Sequence, residues 1–75
     1  MNIQKLDQMK KGCISKVIDI NNECISKQRL IDMGFAAGTD VVVIWKGYGI
    51  TAYQVKGTLV ALRSKDAGYI NVLPK

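Results

Sequence analysis

The sequence predicts a mainly β protein: a small five-stranded barrel, closed on itself, with one short helix. Three observations point there. Five short runs rich in β-branched and aromatic residues follow one another at hairpin-like spacing, each bounded by glycine or polar turn signals. One stretch, "RLIDMGF", reads instead as the end of a helix. The chain has 75 residues and shows neither a linker nor an internal repeat, so residues 1–75 form a single domain.

In the opening "KLDQMKKG", Leu6 and Met9 are spaced to point the same way within a short turn. After Gly12, the segment Cys13–Ile20 places Ile14, Lys16, Ile18 and Ile20 on one parity and Cys13, Ser15, Val17 and Asp19 on the other. Its β-branched content favours a strand. "NNE" stops that strand and offers Asn21 or Asn22 as a helix N-cap. The helix is expected over Glu23–Met33. Gly34 fits the C′ position, where a left-handed backbone is needed and glycine has no Cβ to oppose it. Leu30 then becomes C3 and Phe35 C″, the apolar pair that accompanies a Schellman ending.

Gly38 leads into the strand Val41–Trp45, whose faces (Val41, Val43, Trp45 and Val42, Ile44) are both apolar. The strand is therefore expected to be covered on both sides. "ITAYQVKG" is the next strand, and Gly57-Thr58 reads as a glycine-first hairpin corner. "LVALR" and "YINVL" complete the set, joined by a turn or helical twist over "SKDAG".

Composition narrows the function. The chain has no histidine, which removes the commonest metal ligand and the usual general base. Asp7, Asp19, Glu23, Asp32, Asp40 and Asp66 are dispersed, with no pair at metal or acid–base spacing. Cys13 and Cys24 fit no zinc spacing and are read as small hydrophobes. Gly47 and Gly49 form a lone GxG that a turn explains. No enzyme, cofactor or metal site is expected. The net charge of +5 suits an acidic partner, but the basic residues are scattered, and only Lys10 and Lys11 adjoin. Nucleic acid is therefore not the expected partner. The longest apolar run, Val41–Trp45, is far short of the ~20 residues that span a bilayer. With no apolar signal core at the N-terminus, a cytoplasmic protein is expected. Either Trp45, Tyr48 and Tyr53 line a groove for an extended peptide, or two of them cap the end of the barrel.

The helix holds the remaining information. At 100° per residue, Cys24 and Ile31 fall together, with Leu30 at the edge of their stripe. Ile25 and Met33 lie on the other side, flanking Arg29. Either the helix closes a gap in the barrel and is buried on several sides, or one stripe docks while Ile25, Arg29 and Met33 are offered to a partner.

"RLIDMGFAAGTDVVVI", followed by "GTLVALRSKDAGYINV", resembles the FeoA family, small cytosolic accessory proteins of bacterial ferrous iron uptake. The resemblance covers roughly Leu6 to Leu73, with paired motifs Arg-Leu-x-x-Met-Gly and Leu-Arg-x-x-x-Ala. It implies an SH3-like barrel with the helix inserted between the first two strands. It also implies a non-catalytic partner of FeoB, the membrane ferrous-iron transporter with a cytosolic GTP-binding domain. Ala37 replaces the family's usual proline, and "GYGIT" (Gly47–Thr51) replaces its usual Gly-Asp-Pro, so no contact is carried over to that loop. No tight ferrous iron site is expected in this chain. The alternative is a regulatory module acting in trans with a metal-dependent repressor, since the same barrel type occurs in those proteins. Self-association is left open, because small barrels have edges that can pair.

Overall fold

A computed structural model describes residues 2–75. The chain runs β1 (Gln4–Lys5), a 3-10 turn (Leu6–Gln8), β2 (Ile14–Ile20), α1 (Lys27–Asp32) and β3 (Asp40–Lys46). It continues through β4 (Ile50–Val55), β5 (Thr58–Arg63), α2 (Ser64–Ala67) and β6 (Ile70–Pro74). The sheet order is β1-β6-β2-β3-β4-β5, antiparallel throughout. All five predicted strands are present. The sixth, β1, has two residues and is too short to carry a readable pattern. Its outer edge and that of β5 are not hydrogen-bonded to each other, so the expected closed barrel is an open one. The inserted helix does lie between the first two long strands, β2 and β3.

One core fills the inside of the sheet, built from Leu6, Val17, Val41, Val43, Tyr53, Val55, Ile70 and Val72, with Leu30 and Phe35 entering from the α1 region. Phe35 meets Tyr53 edge-on, ring centroids 6.1 Å apart. Cys24 is buried and Cys13 half-buried, both as free thiols.

Two β-bulges break the alternation read from the sequence. In β2, Val17 pairs with Val72 and Asp19 with Asn71, leaving Ile18 as the extra residue. Ser15 and Val17 therefore face the core before the bulge and Ile20 after it, while Ile14 is exposed. In β3, Val43 pairs with Tyr53 and Trp45 with Ala52, so the bulge falls at Ile44. Only Val41 and Val43 reach the core. The expectation that β3 is covered on both sides is wrong, because Ile44 and Trp45 are exposed on an outer face with no layer above it.

The β4–β5 corner also differs. Lys56 (φ +52°) and Gly57 (φ +74°) are the two central residues of a tight turn closed by the Val55–Thr58 pair. Both are left-handed, the signature of a type I′ turn, so glycine stands second rather than first.

The helix is shorter than predicted, starting at Lys27 rather than Glu23. The Asn21 side chain accepts from the Glu23 amide at 2.8 Å, and Cys24 N–H donates to the Asn21 carbonyl at 3.0 Å. Asn21 thus makes a local turn instead of an N-cap, the competition for backbone groups in which asparagine excels. The loss of four residues at the start of the helix undoes the angular reading that began at Cys24. The helical residue that is buried is Leu30, whereas Ile31 is only half-buried. Ile25 is not on the helix at all.

At its other end α1 stops at Gly34, whose φ is +118°. Phe35 N–H donates to Leu30 O and Gly34 N–H to Ile31 O, each at 3.0 Å, the two bonds of a Schellman ending. Gly38 (φ +89°) then donates to Val17 O at 2.7 Å, and Val17 N–H donates to Thr39 O at 2.8 Å, which returns the chain to the sheet beside β2.

Candidate partner-binding cleft

A short helix laid beside an open sheet leaves a trough wherever their side chains do not interlock. On one flank of α1, Arg29, Leu30 and Met33 face Ile50, Ala61, Leu62 and Arg63 of β4 and β5, with Asp66 of α2 at the end. These residues line a cleft of about 330 Å³. Leu30 and Leu62 are buried, Met33 is half-buried, and both arginines are exposed. The 3.6-residue period sets Arg29 and Met33 one turn apart on the cleft side. On the far wall, pairing of Ile50 with Arg63 brings Arg63 to the mouth.

Among the described residues the only ion pair joins Lys75 to Asp40 at 2.8 Å, so neither Arg29 nor Arg63 is held in an ion pair, although Asp66 lines the same cleft. Two free guanidinium groups over an apolar floor present ten N–H donors' worth of geometry, roughly, to any carboxylate that enters, and arginine binds carboxylates through paired parallel bonds.

Of the residues expected to meet a partner, Arg29 and Met33 therefore share one cleft. Ile25, fully exposed in the turn before α1, lines an adjoining hollow with Arg63, Lys65, Asp66 and Tyr69. Arg63 and Asp66 belong to both hollows and join them into one surface. Leu30, Gly34, Phe35 and Gly38 shape the helix end and its return to the sheet. Sequence reasoning had not assigned Arg63 to the site, although it stands in the second of the two motifs. The motifs containing Arg29, Leu30 and Met33 and containing Leu62 and Arg63, about thirty residues apart in the chain, converge on one cleft.

The three aromatic residues do not act together. Tyr53 is fully buried in the core, while Trp45 and Tyr48 are exposed, so neither a common groove nor a pair capping the barrel forms. Burial pushes the Tyr53 phenol up to about 12, the Asp7 carboxylate adds to the rise, and the Thr51 side chain opposes it. Among the described residues no protein atom meets hydrogen-bond geometry at the Tyr53 hydroxyl. No three metal-ligating side chains come together among the described residues.

The FeoA domain model matches residues 4–74. The chain belongs to the FeoA family. An FeoA-like protein from Clostridium acetobutylicum superposes with a TM-score of 0.90 at 25% identity, over 99% of this chain and 88% of that one. FeoA of Stenotrophomonas maltophilia, solved with zinc and described as a procaryotic SH3 domain protein, gives a TM-score of 0.81 at 24% identity. That match covers 92% of this chain and 88% of the other. A manganese-dependent transcriptional repressor shares the fold (TM-score 0.84, 17% identity) over 97% of this chain but only 42% of its own. No curated protein sequence matches the chain. The architecture is thus the SH3-like one, in a family associated with ferrous iron transport.

Proposed function

We propose that this FeoA-family chain is a non-enzymatic cytoplasmic accessory protein of ferrous iron uptake, and that it binds the cytosolic GTP-binding region of the transporter FeoB. The observation that carries the reading is the convergence of the two motifs on the α1–β5 cleft, with two exposed arginines there that form no ion pair among the described residues. A cleft of this kind recognises a protein segment that offers an apolar side chain to Leu30, Met33 and Leu62 and a carboxylate to Arg29 and Arg63. The Stenotrophomonas relative is described as a candidate ferrous iron transport activating factor, which fits such a role.

The repressor-like fold supports a second reading, a regulatory module acting in trans on a metal-dependent repressor. A pull-down decides between them. The immobilised chain is offered the FeoB cytosolic region in one arm and a metal-dependent repressor in the other. Retention of the FeoB region, lost in the Arg29→Glu variant, is expected; retention of the repressor alone would overturn the proposal.

A further inference from the structure

The β3–β4 hairpin carries an exposed aromatic tip that the cleft does not use. Trp45 is 53% exposed, Tyr48 is fully exposed, and Ile44 beside them is 37% exposed. The Trp45 ring lies along the hairpin backbone at Gly47, where a Cβ would overlap it. Trp45 is the only tryptophan in the chain.

Charge is arranged around this tip. Gly12 N–H donates to Val43 O at 2.7 Å, which sets the Lys10–Lys11 turn beside β3 just before Ile44. Lys46 Nζ donates to Asp7 O at 3.0 Å and Met9 O at 2.9 Å, tying that same segment to the base of the hairpin. Exposed Lys10 and Lys11 therefore lie beside β3 next to Ile44, while the Lys46 ammonium is held by the Asp7 and Met9 carbonyls on the face opposite Trp45. Asp7, whose backbone carbonyl accepts from Lys46, is half-buried with its side-chain Oδ1 fully enclosed. Asp40, at the opposite end of β3, is held by Lys75.

From this juxtaposition we propose that the hairpin tip rests on the surface of an anionic lipid bilayer, with Trp45 and Tyr48 at headgroup depth and Lys10 and Lys11 against the phosphates. Tryptophan and tyrosine favour that depth because each joins an apolar ring to a polar edge. Lysines near an anionic leaflet add electrostatic attraction that salt screens. A second copy of the chain is a poorer occupant, since it would oppose two sets of lysines on molecules of net charge +5. Among the described residues no helix is long and apolar enough to cross a membrane, and the contact proposed is a peripheral one. The surface is separate from Arg29, Met33 and Arg63, and its failure would leave the cleft reading standing.

Because Trp45 is the sole tryptophan, its emission reports the contact directly. The full chain is titrated with phosphatidylcholine vesicles, with and without phosphatidylglycerol, and followed by fluorescence and co-sedimentation. A blue shift and sedimentation with the anionic vesicles, both reversed by salt, are expected. The Lys10→Ala/Lys11→Ala variant, its fold checked by circular dichroism, should partition about thirtyfold more weakly at low salt. Tyr48→Ser should also weaken partitioning. Anionic vesicles that change neither emission nor sedimentation would overturn the proposal, as would partitioning indifferent to the two lysines. Emission that shifts with protein concentration alone would assign the tip to a second copy, and a shift caused only by the FeoB cytosolic region would assign it to a protein partner; either outcome also overturns it.

Discussion

Gly34 stands with its α-carbon against Val55, so a methyl group added there would lie 3.1 Å from Val55 Cγ2. The Schellman ending of α1 and its packing on β4 thus depend on one residue for two reasons, a left-handed φ and the lack of a side chain. Gly34→Ala is expected to lower stability by about 1–3 kcal/mol, combining the backbone penalty with overpacking. Gly38 is also left-handed, but a Cβ there would meet nothing within 4 Å. Gly38→Ala should therefore show the backbone penalty alone, about 1 kcal/mol. Urea denaturation of both variants is the check, and equal midpoints would refute the packing contribution at Val55.

Within α1, burial rather than the helical wheel ranks the substitutions. Leu30 is 2% exposed, whereas Ile31 and Met33 are half-buried. Leu30→Ala should cost about 2–5 kcal/mol and Leu30→Lys should prevent folding. Ile31→Lys and Met33→Lys should both fold, because their side chains can reach water past the edge of the sheet. Thermal melts of the four variants test the ranking. Unfolding by Ile31→Lys with Leu30→Lys tolerated would show that α1 is rotated relative to its placement here.

The fold was legible in the sequence where local chemistry was unambiguous. Gly34 followed by Phe35 marked the helix end, and five β-branched runs marked five strands. Illegible features depended on partners distant in the chain. A bulge at Ile18 or Ile44 is decided by pairing with Asn71 or Ala52, and no local pattern announces it. The helix start was missed because Asn21 serves a turn as readily as a cap. In the cleft, Arg29 and Met33 were readable because one helical turn relates them. Arg63 was not, since only the β4–β5 register brings it opposite the helix.

Tyr53 supplies a pH test. Its phenol is buried and its hydroxyl has no hydrogen-bond partner, so the neutral form is favoured in the folded state and the pKa rises from 10.0 to about 12. A raised folded-state pKa gives a contribution that is complete below the unfolded value and is lost as pH climbs through the folded one. Stability due to this group should accordingly fall between pH 10 and about 12. Lysines titrate in the same range, so the quantity to measure is the difference between the wild type and Tyr53→Phe. The phenylalanine variant should be as stable as the wild type or more so at neutral pH, because no hydrogen bond is lost, and should resist alkaline unfolding better. Parallel alkaline unfolding curves would show that the Tyr53 hydroxyl is solvated.

The cleft makes the prediction closest to function. Arg29 and Arg63 approach from separate elements, α1 and β5, and neither has an acidic neighbour within ion-pair distance. Their guanidinium groups are exposed, so Arg29→Glu and Arg63→Glu should leave the fold intact, as circular dichroism would report. Each charge reversal should weaken binding to the FeoB cytosolic region by ~2 kcal/mol or more, roughly thirtyfold, the loss expected of one interface anchor. If both arginines grip the same carboxylate, the double variant should lose less than the sum of the single losses, since the second reversal acts on a contact already broken. Ile25→Ser, at the adjoining hollow, should have a smaller effect, because its side chain stands free of the cleft floor formed by Leu30 and Leu62. Isothermal titration with the four variants measures all of these terms. Wild-type affinity in both single arginine variants would remove the cleft from the interface, whatever the pull-down had shown.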